Sequence, residues 1–157
     1  MWTEESWRGS TGAGRWVVMR SNSGSTASAV FTATGVKPGD TGSATVTLKN
    51  TGSIPISVAL TQDQVTNTFA AGSAQLQIHD DTANRCYWPT NAAGACATYG
   101  DFTATTATNL AIAGTAAAQW AANEQHVFTI GHKLATTSPN TDQGKAAAFR
   151  LTWDGIQ

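Results

Sequence analysis

Three histidines, ten carboxylates and two cysteines are the residues of this chain whose chemistry goes beyond packing. His79-Asp80-Asp81 sets an imidazole beside two carboxylates, donor types that hold a divalent cation when they converge. Adjacent residues of a strand point to opposite faces, however, and Asp80-Asp81-Thr82-Ala83-Asn84 reads first as a turn. His126 and His132 share one face of one strand, but at roughly 3.3 Å per residue they lie about 20 Å apart, too far to chelate one ion. The chain has no His-Glu-x-x-His, and its many serines include no Gly-x-Ser-x-Gly elbow. Asp40, Asp80, Asp81 and Glu124 are therefore read as turn acceptors, with Ala121 to Glu124 ahead of Val127 repeating the pattern of Pro38-Gly39-Asp40. The expectation is a protein without catalytic residues, metal or cofactor.

Cys86 and Cys96 flank Tyr87-Trp88-Pro89-Thr90-Asn91-Ala92-Ala93-Gly94-Ala95, whose turn-forming residues let the two ends meet. A disulfide is expected, and with it an oxidising compartment. Two buried thiols are the alternative; a zinc site lacks the further ligands for a tetrahedral shell. Tyr87, Trp88 and Tyr99, in or beside this loop, are candidate glycan contacts, such as a matrix polysaccharide would require. Core packing is the commoner role of such rings.

The elements that would position these residues are strands. Ala44, Val46 and Leu48 alternate with Thr, and Ile54, Ile56, Val58 and Leu60 alternate again, the period of strands with one buried face. Asn50-Thr51-Gly52-Ser53 between them reads as the turn of a β-hairpin, and Pro38-Gly39-Asp40 as the reversal ahead of it. Further strands are expected at Ala27 to Ala33, Ala74 to His79, Val127 to Leu134 and Ala146 to Trp153, with a weak pair around Ala97 to Thr103 and Asn109 to Ala113. Ala147, Phe149, Leu151 and Trp153 fall on one face, and Ser138 to Gly144 reads as a hairpin loop joining that strand to Val127–Leu134. Ala116 to Asn123 is either a helical turn or a loop carrying Trp120 into the core. The fold class is an all-β, Ig-like or jelly-roll-type antiparallel sandwich, with an N-terminal arm at 1–24 and the sandwich at 25–157. The arm holds Trp2, Trp7 and the short strand Trp16-Val17-Val18-Met19. That strand pairs either within its own sandwich or with a neighbouring copy.

Only 12% of residues are charged and the net charge is −1, against about 25% charged in an average domain. Lys and Arg are scattered, which excludes an electrostatic footprint for nucleic acid. No run approaches the ~18 apolar residues of a membrane span. A surface of Thr, Ser, Asn, Gln and Gly has little self-repulsion and favours association.

In their order and spacing, several of these segments resemble the TasA/camelysin-like family of secreted bacterial proteins, in a cysteine-containing form. They are Met1-Trp2-Thr3-Glu4-Glu5-Ser6, Ala13-Gly14 with its apolar strand, Lys37-Pro38-Gly39-Asp40, Lys49 to Pro55, and Gln143-Gly144 with the aromatic strand that follows. The resemblance implies a sandwich exported behind a leader removed ahead of Met1. It also implies a non-enzymatic subunit of an extracellular biofilm-matrix filament, whose partner is itself. Assembly would then run by donor-strand complementation, with Trp2, Trp7, Trp16, Val17, Val18 and Met19 as the assembly residues. Two alternatives stay open. An intact Met1, retained because Trp2 is large, suits a virion decoration or phage surface protein. Some camelysin-like proteins are described as metalloproteases, a reading the missing ligand spacing disfavours.

Overall fold

The computed structural model describes residues 15–21, 28–34, 36–101 and 110–156. Eleven strands lie among them: β1 (Arg15–Ser21), β2 (Ser28–Thr34), β3 (Thr41–Lys49), β4 (Ser57–Asn67), β5 (Ala74–Asp80), β6 (Arg85–Trp88), β7 (Ala92–Ala93), β8 (Gly100–Asp101), β9 (Leu110–Ile112), β10 (Gln125–Leu134) and β11 (Ala146–Ile156). They form two sheets, in the orders β2-β1-β11-β4-β9 and β3-β10-β5-β6-β7, with β8 also paired to β5. The protein is an all-β sandwich, as the alternation of apolar residues required.

One core lies between the sheets. Leu60, Leu76, Ile78, Ile112, Trp120, Phe128, Ile130, Phe149, Leu151 and Trp153 are its fully buried side chains. In β11 every second residue from Ala147 to Trp153 is buried. Burying a side chain of the Leu or Phe class contributes about 1.5–3 kcal/mol, so this alternating row is a major source of the sandwich's stability.

The connections differ from the sequence reading in two places. β3 and β4 belong to different sheets, so Asn50 to Ser53 is not a hairpin turn but the start of a crossing from one sheet to the other. Asn50 holds that crossing: its buried Nδ2 donates to the carbonyls of Ile54 and Ala121, both at 2.9 Å, and its Oδ1 accepts from Gly52 N at 3.0 Å. β4 consequently begins at Ser57, and Ile54 is 47% exposed rather than inward. The segment between β10 and β11 also crosses between sheets, where a hairpin loop was expected. There Asp142, in a short helical turn at Asn140–Asp142, accepts from Ala70 N at 2.8 Å and from the Ser138 hydroxyl at 2.5 Å. Alternation reports that each strand has a buried face; it is silent on which sheet the strand joins.

Trp120 arrives on a loop, not a helix. It pairs with Ile56 by a two-way backbone bridge, and its indole N–H donates to Ile112 O at 3.0 Å. β1 lies inside the first sheet, antiparallel to β2 and parallel to β11, with Trp16 opposite Ala147 and Val18 opposite Phe149. The β1–β11 ladder departs from the wholly antiparallel expectation.

Candidate functional site

The residues that drew attention for their chemistry divide between the two faces of one sheet. His79 and Asp81 are on the outer face, where the ring Nδ1 stands 2.7 Å from Asp81 Oδ1 and Thr129 Oγ1 donates to Asp81 Oδ2 at 2.6 Å. Asp80, between them, points inward, so the three do not converge on one ion. Among the described residues no group of three or more His, Cys, Asp or Glu side chains is placed to hold a metal.

Asp80 instead meets His126 and Glu124. It ends β5 on the parity of Leu76 and Ile78, and His126 opens β10 on the parity of Phe128 and Ile130, so the strand pattern carries both inward. Asp80 Oδ2 lies 2.6 Å from His126 Nδ1, and Glu124 Oε1 lies 3.0 Å from Nε2. The other lone pairs are taken up locally. Asp80 Oδ1 accepts from Thr82 N and Ala83 N, both at 3.0 Å, while Glu124 accepts from Thr115 N at 2.5 Å, Thr115 Oγ1 at 2.9 Å and Ala121 N at 2.6 Å. The turn roles expected of Asp80 and Glu124 are present, and so is Asp40, whose Oδ2 accepts from Lys37 N at 2.8 Å. What the sequence reading missed is that two of these turn carboxylates share one imidazole.

The electrostatics follow from that sharing. Both ring nitrogens of His126 face carboxylate oxygens, so the ring is satisfied only as the imidazolium, with two N–H groups to donate. Burial pushes the pKa of His126 down, but the hydrogen bonds and charges of Asp80 and Glu124 together raise it above its ordinary value. Burial likewise pushes Glu124 up, and the donors Thr115, His126 and Ala121 outweigh it, holding the group at about 2. Trp120 stacks on the charged ring, centroids 4.0 Å apart and planes 12° from parallel, which adds a cation–π contact. His126 and Asp80 are fully buried, and their hydrogen-bonding groups are engaged within the protein. The arrangement is a clamp that ties β5, β10, the 113–124 loop and the turn after β5 together.

Cys86 and Cys96 form a disulfide, with Cα atoms 4.9 Å apart. It closes the loop containing β7, the edge strand beside β6. Such bonds persist in oxidising surroundings. The glycan reading of this loop needs correction at Tyr87: its ring is buried and packs against Phe128 with centroids 6.5 Å apart, leaving no free face to stack on a sugar. Trp88 is half-buried against the core and lies close over Gly100, where a Cβ would collide with the indole. Tyr99 carries the Lys133 ammonium 5.9 Å from its ring centre. The three aromatics therefore do not form a platform.

Of the assembly residues, Trp2 and Trp7 lie outside the described residues. Trp16, Val17, Val18 and Met19 lie in β1, paired on both sides within the chain. No helix among the described residues is long and apolar enough to cross a membrane. The chain matches no protein-family model and no curated protein.

Proposed function

We propose that the chain is a non-enzymatic structural subunit of an extracellular protein filament, in which the N-terminal strand of one copy completes the first sheet of the next. The observation that supports this reading is the position of β1. It is the first described strand, yet it sits between β2 and β11 rather than at an edge, so among the described residues its ladders alone link β2 to the rest of that sheet. A strand makes the same backbone bonds whichever of two identical copies supplies it, which is the basis of strand exchange between identical subunits. Low charge on the surface and a disulfide suited to secretion agree with an assembly outside the cell. The resemblance to the TasA/camelysin-like family points the same way.

Deleting residues 1–21 tests the reading. We expect the shortened chain to form no filaments under conditions where the full chain does, and to regain them when a peptide spanning 1–21 is tethered to a second copy. Filaments of unchanged appearance from the shortened chain, seen by electron microscopy, would refute strand donation.

A further inference from the structure

Among the described residues, the edge strands β9, β7 and β2 are short or irregularly paired. β9 covers only Leu110–Ile112 and β7 only Ala92–Ala93, and β2 is paired through a register shift at Val18/Met19. Short edges and bulges are common means of preventing edge-to-edge pairing. β3 has neither. It runs unbroken from Thr41 to Lys49 in continuous register with β10, contains no proline, and carries a single charge at its end. Among the described residues nothing pairs along its other side.

The hydrogen bonds flanking the ladder show which backbone groups are open. Asn50 N donates to Glu124 O, and Leu134 N donates to Asp40 O. Both pairs share the register that sets Leu48 opposite His126 and Val46 opposite Phe128. Even-numbered residues of β3 thus bond to β10, and the N–H and C=O groups of Thr41, Ser43, Thr45, Thr47 and Lys49 point to the open edge. The same five residues have exposed side chains.

We propose that this edge pairs with the β3 edge of a second copy, antiparallel, about a two-fold axis through Thr45. In that register Thr45 meets Thr45, Ser43 meets Thr47, and Lys49 meets Thr41. Hydroxyl side chains thereby face one another, a favourable cross-strand pairing, and the one charge of the strand never meets itself. The second sheet becomes continuous across the pair. This contact does not rest on the filament reading: it is isologous and closes at two copies, whereas strand donation runs head to tail.

The test uses the full chain and two charge variants at the axis, Thr45→Lys and Thr45→Glu. Both substitutions are at an exposed position and leave the bonds to β10 in place. Under conditions in which the chain forms no filaments, sedimentation velocity over a concentration series should show the wild-type chain of 16.3 kDa approaching twice that mass. Each variant alone should dimerise about fivefold more weakly, because like charges then meet at the axis. Their equimolar mixture should recover the wild-type dimer. Hydrogen exchange gives an independent readout: the amides of Ser43, Thr45 and Thr47 should become protected as the dimer forms, whether or not β1 crosses between copies. A wild-type chain showing no β3-dependent dimer, variants that dimerise as well as wild type, or a mixture no better than its components would each overturn the proposal. So would protection of those amides in the monomer, which would put another segment of the chain on the edge.

Discussion

His126 and His132 stand on the same strand and the same face, both buried, yet the first is charged and the second neutral. His126 sits between Asp80 and Glu124 and is kept protonated above its ordinary pKa. His132 packs over Gly42, where a Cβ would collide with its ring, and burial pushes it down to about 4. One end of β10 thus carries a charge inside a satisfied polar cluster, and the other carries the same side chain neutral. Burial alone therefore does not fix a residue's chemistry here; the turns at the strand ends do, by bringing carboxylates inward or not.

The largest effect comes from breaking the charged end. Asp80→Ala leaves a buried imidazolium with one partner and frees two turn amides, and should cost about 3–5 kcal/mol in urea unfolding. If it cost less than a typical surface substitution, His126 would not be charged in the folded protein.

The pH dependence then separates the two histidines. His132 has a folded pKa depressed to about 4, so the unfolded chain takes up its proton first as pH falls below about 6.5. Stability is full above that value and declines toward pH 4, by roughly 3 kcal/mol for a shift of this size. His126 has a raised folded pKa, so its contribution is full below about 6.5 and is lost as pH rises through the folded value. Glu124, held at about 2, contributes above its unfolded value and loses that contribution as pH falls toward 2. His132→Gln should remove the decline between pH 6.5 and 4, whereas a variant lacking His126 should remove the loss on the alkaline side. Identical pH profiles for the two variants would erase the comparison.

Further from the histidines, replacing both Cys86 and Cys96 with Ser should cost about 2–3 kcal/mol, the loop-closure entropy of a short ring. Mass spectrometry of unreduced peptides that found both thiols free would contradict the bridge. Smallest of all, Asp40→Ala removes one exposed acceptor from Lys37 N and should cost about 0.5–1 kcal/mol, with the charged cluster untouched.

These outcomes also mark how far the residues speak for themselves. The strands were legible because Val46, Leu48, Val58, Leu60 and the row from Ala147 to Trp153 alternate cleanly, and those residues are buried. The disulfide was legible because the turn residues between Cys86 and Cys96 leave its ends close. The sheet assignments of β3, β4, β10 and β11 were not, because a tight hairpin and a crossing between sheets use the same turn residues, and only contacts distant in sequence, such as Asn50 to Ala121, tell them apart. β6 escaped because Arg85-Cys86-Tyr87-Trp88 has two adjacent buried residues and no period. The Asp80–His126 pair was within reach: each polar residue occupies an inward parity position on its strand, a signal that becomes specific only once the two strands are known to be neighbours.

The satisfied cluster of Asp80, His126 and Glu124 and the open edge of β3 lie in the same sheet. The clamp and the disulfide tie the sandwich together, and the odd-numbered residues of β3 turn their backbone groups to an edge where, among the described residues, no further strand pairs. The most direct test of strand donation uses the register of β1 on β11, in which Val17 stands opposite Ala148. One chain carrying Val17→Cys and another carrying Ala148→Cys are mixed, allowed to assemble and treated with a short thiol crosslinker. Strand donation predicts a crosslinked pair of chains containing one of each. A mixture that gives no such pair, while a single chain carrying both cysteines crosslinks to itself under the same assembly conditions, would keep β1 in its own sandwich and contradict the proposal.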